Sequence, residues 1–366
     1  MARQAYVLRF PASAPNDTSA LAAAITRGEV LPREIIAVLG KTEGNGCVND
    51  FTRAFAVEAF RTMLGLHMTE ADLARIAFVM SGGTEGGLSP HWIVFGVREG
   101  GAPTPGRTAL ALASVRTPDL VAEHLGRRQQ VAMVADAVRN AMAQAGLTSP
   151  ADVHYVQVKC PLLTMERIEA AEARGARTAV RDTLKSMGVS RGASALGVAV
   201  ALGEIAIEDI TDDIICRDWH RFATRAATSA GVELLDHEIM VAGMSPAWTG
   251  PLAIDSGVMT DAIDIEPARE ALARLGIATT GQVPAAQRPK IRAVLAKAEA
   301  AQSGRIRGQR HIMLDDSDIS STRHARGFVA GALAGLFGFT DLFVSGGAEH
   351  QGPDGGGPIA IIVDRS

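Results

Sequence analysis

The chain has 366 residues, 47% of them hydrophobic, and a formal net charge of −4. This size allows a sizeable buried core. The sequence contains no run of 18 apolar residues, so a membrane span is not expected, and it has no excess of basic residues that would predict nucleic-acid binding. Three cysteines, no CxxC or HExxH spacing and no signal-peptide pattern argue against disulfides, zinc and secretion, so we expect a cytoplasmic protein.

Lysine is rare, because only 5 of the 36 basic residues are lysines. Three of them end apolar runs that predict buried strands: IIAVLGK to Lys41, VHYVQVK to Lys159 and IRAVLAK to Lys297. The third run also has good helix formers, so a helix stays open there. A phosphate loop needs glycine six residues before its lysine, and Ile35 stands at that position. A single lysine could simply reach water from a strand end, but three in register argue for a shared role.

After each of these lysines, an arginine stands at the start of an apolar helical pattern. The segments are NDFTRAFAVEAF with Arg53, VSRGASALGVAVAL with Arg191 and SSTRHARGFVAGALAGLF with Arg323. The candidate N-caps are Asn49 or Asp50, Ser190, and Ser320 or Ser321. A helix N-terminus is already positive, so an arginine there indicates an anionic or polar ligand. The alternative partners are the acids Glu85, Glu233 and Glu349.

A third motif, Ser-[Gly/Ala]-Gly-x-Glu, follows in the same order three times. It occurs in MSGGTEG (Ser81), TSAGVEL (Ser229) and VSGGAEH (Ser345), and a strand candidate follows each: WIVFGV, EIMVAG and PIAIIV. One such motif alone is usually a tight turn, whereas its repetition predicts three copies of one unit. The linkers GAPTPGR and SPAWTGP divide the chain into units at 1–104, 105–250 and 251–366.

If the units close around an axis, the three lysines, arginines and serines meet in one pocket. Such a pocket suits a small threefold ligand that is rich in carbonyl oxygens and partly anionic, such as a cyclic triimide. A serine beside a neutral lysine is also a nucleophile beside a base, and nearby arginines would lower the pKa of that lysine. Backbone N–H groups of the glycine turns would hold an oxyanion.

Two of the three lysines have an acidic residue on the same strand face. Glu43 follows Lys41 at i+2, and Glu299 follows Lys297 at i+2, so these lysines would stay charged. Cys160 and a proline follow Lys159 instead, which predicts Lys159 as the base and its partner Ser229 as the nucleophile. Cys160 itself is the alternative nucleophile, although a cysteine in such a run is more often a small buried residue.

Near the C-terminus, the segment EHQGPDGGGP (349–358) combines glycines, exposed carbonyl groups and a nearby acid. Oxygen donors of this kind bind hard cations such as Mg²⁺ or Ca²⁺. A flexible loop without a metal is the alternative.

The chain resembles the cyanuric acid hydrolase and barbiturase family, and the resemblance runs from Lys41 to Pro358. The matching stretches are GKTEGNGCVNDFTR, FVMSGGTEGGLSPH, VQVKCPLLT, SRGASALG, MLDDSDISSTRHAR and FVSGGAEHQGPDGGGP. The resemblance implies an α/β fold of three structurally similar repeats around a pseudo-threefold axis, with a central β-barrel and outer helices. It also implies hydrolytic opening of cyanuric acid to carboxybiuret, which decarboxylates to biuret, a step of s-triazine degradation.

The resemblance also implies roles for individual residues. Lys159 and Ser229 match the base and the nucleophile. The positions that match substrate-binding residues are Arg53, Ser81, Gly82, Arg191, Ala230, Arg323, Ser345 and Gly346, with Lys41 and Lys297 completing the dyads. The positions that match a structural Mg²⁺ or Ca²⁺ site are Glu299 and the backbone of Ala348, Gln351, Gly352, Pro353 and Gly356. No organic cofactor is implied, and a homotetramer is expected.

Two alternatives to cyanuric acid hydrolysis stay open. The first is barbiturase activity, the same chemistry on a pyrimidine ring, which would convert barbituric acid to ureidomalonate. The second is a non-catalytic binding module for a small cyclic anion, in which the lysines stay charged.

Overall fold

The first part of the chain builds a sheet with helices on one face. The computed structural model describes residues 2–366. The elements of this part are β1 (Ala2–Pro11), α1 (Ser19–Thr26), β2 (Ile35–Thr42), α2 (Phe51–Gly65), α3 (Glu70–Leu73), β3 (Ala77–Gly82) and β4 (His91–Gly100). β2, which ends just after Lys41, is almost entirely buried, as its apolar sequence predicts.

The second part repeats this element order with longer helices. Its elements are β5 (Ala109–Arg116), α4 (Arg128–Ala145), β6 (Val153–Pro161), α5 (Met165–Ala173), α6 (Thr183–Ala201), β7 (Ala226–Gly231), β8 (Glu238–Ser245) and β9 (Trp248–Thr249). The short strand β9 lies inside the expected linker SPAWTGP and pairs with β1 of the first sheet. This linker therefore also ties two sheets together.

The third part contains β10 (Leu252–Met259), α7 (Glu266–Arg274), β11 (Ile291–Ala298), β12 (Arg305–Ile306), β13 (Gln309–Arg310), α8 (Ser321–Phe337), β14 (Phe343–Gly346) and β15 (Gly357–Asp364). The run IRAVLAK is therefore a strand, β11, and the helix alternative is wrong. β12 and β13 form a small separate hairpin. Among residues 2–366, no helix has the length and apolar character that crossing a membrane requires.

The three main sheets share one strand order. It is β3-β2-β4-β1, then β7-β6-β8-β5, then β14-β11-β15-β10, with β9 added to the first sheet. In each sheet the lysine strand is parallel to the serine strand and antiparallel to the strand that follows the serine motif. Each lysine strand also has an irregularity of register near its start, at 35–37, 153–155 and 291–293.

The inner faces of the three sheets pack into one hydrophobic core. This core combines Val7 of β1, Leu110 of β5 and Ile254 of β10 with the helices α4 and α6. The helices α1 and α2 cover the other face of the first sheet, and α7 and α8 cover that of the third. The sheets therefore lie inside and most helices outside.

The expected central β-barrel is not found as a closed structure within residues 2–366. Each sheet keeps its own hydrogen-bonded order. Between consecutive parts of the chain, the short β1–β9 pair and an isolated bridge from Ala223 to Gln351 are the strand-like pairings that residues 2–366 contain. The sheets meet mainly through side chains, with β1 against β5 and β11, and β10 against β5. Packing of neighbouring sheet faces replaces the continuous strand pairing that a closed barrel requires.

Candidate active site

Each lysine lies beside a serine on the neighbouring parallel strand. The register pairs Lys41 with Ser81, Lys159 with Ser229, and Lys297 with Ser345. All six side chains are buried. The sequence motifs therefore meet as predicted, because consecutive strands of each unit pair at the ends that carry the lysine and the serine.

The lysines also connect the sheets to one another. Each ammonium group donates to the carbonyl oxygen of the residue that precedes the serine of another sheet: Lys41 to Val344 at 2.9 Å, Lys159 to Met80 at 2.6 Å and Lys297 to Thr228 at 2.8 Å. The contacts run from the first sheet to the third, from the third to the second, and from the second to the first. They form a closed cycle that brings the three serine strands to one centre.

The three serines differ in their hydrogen bonds. Lys41 Nζ donates to Ser81 Oγ and Lys297 Nζ donates to Ser345 Oγ, both at 3.2 Å, and Ser81 Oγ donates to Ser345 Oγ at 3.3 Å. Ser229 Oγ is buried and has no hydrogen-bond partner among residues 2–366. Ser229 is thus the serine whose hydroxyl is free to meet a ligand.

A small cavity of about 20 Å³ lies where the serine strands meet. Its lining includes the three serines, the residues after them, and three arginines: Ser81, Gly82, Ser229, Ala230, Ser345, Gly346, Arg53, Arg191 and Arg326. A larger cavity of about 730 Å³ lies next to it, and Gly46, Met187, Arg191 and Arg326 line both. The larger cavity forms the approach to the serines, with two arginines at the boundary.

The three cavity arginines are held by acceptors from other parts of the chain. Arg53 donates to the carbonyl oxygens of Ala230 at 3.0 Å and Cys47 at 2.7 Å. Arg191 forms a two-pronged ion pair with Glu349, at 2.8 and 2.6 Å. This contact holds the Arg191 guanidinium in a fixed orientation towards the cavity.

In the third unit, the arginine of the cavity is Arg326 and not the expected Arg323. Arg326 is buried and donates to both carboxylate oxygens of Glu85, from Nε at 2.6 Å and from Nη2 at 2.5 Å. The Arg323 side chain is 41% exposed, makes one bond to Glu85 at 3.1 Å, and lines only the larger cavity. The expectation that acids partner the arginines is confirmed for Glu85 and Glu349.

The helix face that each arginine occupies accounts for this difference better than its distance from the helix start, because Arg53 and Arg323 are both the third residue of their helices. α2 begins near Arg53, and Asp50 is its N-cap, accepting from Thr52 N. α6 begins at Thr183 with Asp182 as N-cap, so Ser190 is not a cap and Arg191 lies well inside the helix. An arginine of this site is therefore placed by the helix face that it occupies. In α8 that face begins at Arg326, which heads the buried stripe of Val329, Ala330 and Leu333.

The charges around the lysines differ from the expectation. Lys159 was predicted to lack an acidic neighbour, yet its Nζ lies 2.9 Å from Glu233 Oε1. Burial lowers the pKa of Lys159, and the Glu233 charge opposes this shift. Glu43 is exposed, and burial followed by the Arg326 charge sets the pKa of Lys41 well below its ordinary value. The i+2 argument failed because Glu233 arrives from the serine turn, not from the lysine strand.

Lys297 lies among charges of both signs. Burial, followed by the nearby Arg191 charge, lowers the pKa of Lys297 to about 7, while Glu349 and Glu299 act in the opposite direction. Glu299 at i+2 therefore acts in the expected direction, but it does not keep the lysine charged as expected, because burial and the Arg191 charge outweigh it. Lys297 differs from Lys159 in having a serine hydroxyl among its hydrogen-bond partners.

Cys160 does not reach the small cavity. It is fully buried, its Sγ lies 3.5 Å from the Ser229 carbonyl oxygen, and burial raises the pKa of its thiol. A thiol with a raised pKa is a poor nucleophile. The structure therefore favours the interpretation of Cys160 as a packing residue.

The turn after Ser81 requires glycine for lack of space. A Cβ atom on Gly82 would lie 1.8 Å from Asp50 Oδ2, which itself accepts a hydrogen bond from Gly46 N at 2.8 Å. Gly346 is similarly crowded by the Thr322 side chain at 2.4 Å. At the corresponding position of the second unit, Ala230 is accommodated and is buried. The second unit thus differs from the others in the turn beside its serine.

The expected metal ligands lie in the third unit. Glu299 is buried, and burial together with the Glu349 charge raises its pKa to about 7. Its Oε1 accepts from Ala300 N, and the Pro353 carbonyl oxygen accepts from Gly356 N, both at 2.9 Å. Residues 2–366 contain no cluster of three or more His, Cys, Asp or Glu side chains placed to hold a metal. One buried carboxylate beside a carbonyl-rich loop nevertheless fits a hard cation in its donor chemistry.

Sequence reasoning missed two residues of the site. Arg326 was hidden by the more conspicuous Arg323, although the helical period from Arg326 to Leu333 could have indicated it. Glu233 was considered only as an arginine partner, although Ala230 distinguishes its motif from the motifs of Glu85 and Glu349. Its lysine contact depends on side-chain placement, which motif spacing does not determine.

Comparison with known proteins adds independent information. Residues 6–364 match the protein family described as amidohydrolase ring-opening protein. A cyanuric acid amidohydrolase of Bradyrhizobium sp. (strain ORS 375) is 71% identical, with 100% of this chain and 99% of the relative covered. One of Methylobacterium sp. (strain 4-46) is 61% identical, with coverages of 100% and 98%.

Solved structures agree with these matches. A crystal structure of the cyanuric acid hydrolase from A. caulinodans is 58% identical, with a TM-score of 0.93 over 100% of this chain and 99% of that chain. A second cyanuric acid hydrolase structure is 46% identical, with a TM-score of 0.95 over the full length of both chains. The mixed α/β architecture described above is therefore the fold of these enzymes.

Proposed function

We propose that this chain, which belongs to the family of ring-opening amidohydrolases, hydrolyses the ring of cyanuric acid. One observation carries the proposal: three serines and three arginines line one cavity, and only the Ser229 hydroxyl among the serines lacks a partner. The names of the relatives at 71% and 61% identity support the choice of substrate.

The cavity lining suits a ring with three carbonyl groups. Three arginines would donate to ring oxygens, and the serine turns would offer hydroxyl and N–H donors. The cavity of about 20 Å³ holds no more than a water-sized group, so ring binding requires it to widen. Arg191 and Arg326 line the boundary with the larger cavity, and movement of their side chains would admit the ring.

For the chemical step, we assign Ser229 as the nucleophile and Lys159 as the base. Neutral Lys159, after turning from the Met80 carbonyl, takes the proton of Ser229, whose oxygen attacks a ring carbonyl carbon. Backbone N–H groups of the serine turns stabilise the oxyanion. The C–N bond breaks, the nitrogen takes the proton from Lys159, and water then releases carboxybiuret, which decarboxylates to biuret.

We also propose that residues 1–104, 105–250 and 251–366 are three copies of one unit around a pseudo-threefold axis. The common strand order, the matching irregularities of the lysine strands and the cyclic lysine contacts support this arrangement. The side-chain-packed inner sheets would then take the place of a closed barrel.

Three further properties remain proposals from the resemblance. A structural Mg²⁺ or Ca²⁺, held by Glu299 and by carbonyl groups of Ala348, Gln351, Gly352, Pro353 and Gly356, would neutralise the carboxylate and order the loop. A homotetrameric assembly and a cytoplasmic location are the others. No organic cofactor is part of the proposed reaction, because proton transfer and acyl transfer need only the serine and the lysine.

The test is to incubate purified protein separately with cyanuric acid and with barbituric acid, and to follow the ultraviolet absorbance of each ring. Loss of cyanuric acid with formation of biuret is the expected result, and Ser229→Ala serves as the inactive control. Loss of barbituric acid alone would replace the proposal by barbiturase activity. Binding of either ring by folded protein without turnover would replace it by a binding module.

A further inference from the structure

The second unit has a feature that the other two lack, namely an acid in contact with its lysine. We propose that Glu233 is the proton acceptor that neutralises Lys159, and that a cavity behind the lysine connects this pair to solvent, separately from the substrate approach. This inference rests on the proposed function and adds a residue to its mechanism.

The three equivalent glutamates have different partners. Both oxygens of Glu85 are engaged by Arg326, and both oxygens of Glu349 are engaged by Arg191. Neither oxygen of Glu233 has a hydrogen bond of acceptable geometry among residues 2–366, although both are buried. Its close polar contact is the ion pair of Oε1 with Lys159 Nζ at 2.9 Å. Glu233 is therefore the glutamate of the three that can exchange a proton with a lysine.

Lys159 lies between two separate cavities. On one side its Nζ donates to the carbonyl oxygen of Met80, which lines the small serine cavity. On the other side it contacts Glu233, which lines a cavity of about 390 Å³ together with Glu238, Arg116 and Glu58. This rear cavity, as we call it, shares no lining residue with the serine cavity or with the substrate approach.

Strand register places a second acid beside Lys159. Glu238 on β8 is its antiparallel partner, whereas His91 is the partner of Lys41. Glu238 Oε2 accepts from Phe78 N at 2.8 Å, and Oε1 accepts from Arg116 Nη1 at 2.9 Å. Glu238 is thus anchored between two sheets, with Arg116 at the partly exposed end of the rear cavity.

The charges that face the Lys159–Glu233 pair come from several elements. Lys159 and Arg53 are the main cations acting on Glu233, and both hold the pKa of this carboxyl below its ordinary value against the effect of burial. Arg167 also lies within the influence of Glu233. On the far side, burial raises the pKa of Glu238 to about 7, while the Arg116 and Lys159 charges oppose this shift and the Asp236 charge adds to it.

The proton balance needs no further reactant. One proton moves from Lys159 Nζ to Glu233 Oε1, which converts the ion pair into a neutral amine and a neutral acid. In a buried site the neutral pair avoids the desolvation cost of two charges, which offsets part of the attraction that favours the ion pair. The amine lone pair then accepts the Ser229 proton, while Glu233 keeps the transferred proton or exchanges it with water in the rear cavity.

The decisive experiment compares pH profiles of kcat and kcat/KM for wild type and Glu233→Gln on cyanuric acid. If Glu233 accepts the proton, kcat falls by about 100-fold or more with little change in KM. In Glu233→Gln, the acid limb of the profile, which is the loss of activity at low pH, moves to higher pH, because Lys159 must then lose its proton to solvent. If Glu233 only holds the lysine charged, its removal makes Lys159 easier to deprotonate, and the acid limb moves to lower pH with kcat maintained; this result would overturn the inference.

Two further variants guard the interpretation. Glu233→Asp keeps a carboxyl group but shortens the side chain. The acid limb should therefore stay at its wild-type pH, while kcat should fall at least tenfold. A wild-type kcat in this variant would contradict the inference, even if Glu233→Gln fails to fold. Glu169→Gln removes an exposed charge on α5 that lines none of these cavities, and it should leave both profiles unchanged. A wild type that opens no ring would overturn the proposed function and this inference with it, whereas an active wild type with an unaltered Glu233→Gln profile overturns the inference alone.

Discussion

At the residue scale, chemically similar side chains acquire different properties from their neighbours. Three lysines and three serines share one register, yet Ser81 and Ser345 are hydrogen-bonded to lysines and Ser229 is not. Lys159 is also the lysine in ion-pair contact with an acid. These differences in contact, rather than the motifs, mark the second unit as the proposed reactive one.

Replacing each serine separately tests this distinction. Ser229→Ala should lower kcat by about 10⁴-fold or more while a bound ring still protects the protein thermally, because alanine removes only the attacking oxygen. Ser81→Ala should keep measurable turnover, since Ser345 and the arginines still hold the ring. Steady-state kinetics measures the loss of turnover in each variant, and a thermal-shift assay measures whether the ring still binds. Equal loss of activity in both variants would contradict a single nucleophile.

The arginine assignment can be tested in the same way. Arg326→Lys should weaken ring binding by about 10- to 100-fold, because lysine cannot reproduce the planar, two-pronged guanidinium contact that Glu85 orients. Arg323→Lys should have a clearly smaller effect, since its side chain is largely outside the serine cavity. Calorimetric titration on a Ser229→Ala background measures both, and a larger effect at Arg323 would reverse the assignment.

Residue contacts were only partly predictable from sequence. The pairing of Lys41, Lys159 and Lys297 with their serines followed from strand-like runs that end on rare residues. The roles of Arg326 and Glu233 did not, because they depend on which helix face and which turn reach the centre. Short-range spacing along the chain carries no information about such contacts between distant segments.

At the scale of elements, the strands were predictable and some helix starts were not. The runs that end on Lys41, Lys159 and Lys297 form β2, β6 and β11, because apolar runs with β-branched residues suit strands covered on both faces. The start of α6 was placed too late, since the segment from Thr183 to Ser190 mixes polar and apolar residues and lacks the continuous apolar pattern of the second half. Burial of the second half dominates the sequence pattern.

The turn that joins β3 to the next segment offers a stability test. Gly82→Ala should destabilise the protein by about 2 kcal/mol, because the new Cβ would displace Asp50 and thereby disturb the N-cap of α2. The matched change Ala230→Gly relieves no contact and should cost about 1 kcal/mol or less through backbone freedom. Chemical denaturation measures both free energies of unfolding. A smaller cost for Gly82→Ala would show that Asp50 can move freely.

At the scale of the whole molecule, three sheets depend on one another. The lysine of each sheet donates to a backbone carbonyl of another sheet, and the inner faces share one core. The α/β class and the sites of the sheet-forming motifs were accessible from repetition in the sequence. The absence of a closed hydrogen-bonded barrel among residues 2–366 was not, because edge-to-edge pairing between sheets depends on their relative tilt.

The proposed metal would act at this scale, by ordering the loop between β14 and β15. Adding Mg²⁺ or Ca²⁺ to chelator-treated protein should raise the melting temperature by roughly 2–5 °C, as expected for a ligand that binds only the folded state. Glu299→Gln should abolish this rise, whereas Glu43→Gln, an exposed change elsewhere, should preserve it. No rise in wild type with either ion would remove the metal from the proposal.

The cyclic arrangement of the three lysine–serine pairs around one unpartnered serine affects the number of orientations in which a ring can bind productively. A ring with three identical carbonyl groups can enter in three orientations that are all productive, so the free-energy cost of orienting it on binding is smaller by RT ln 3, about 0.65 kcal/mol. A pyrimidine ring with one methylene edge loses this degeneracy, since its carbonyl groups are no longer interchangeable. The near-symmetry of the pocket thus favours the ligand that has more equivalent productive orientations, even where the individual contacts of two ligands are equally strong.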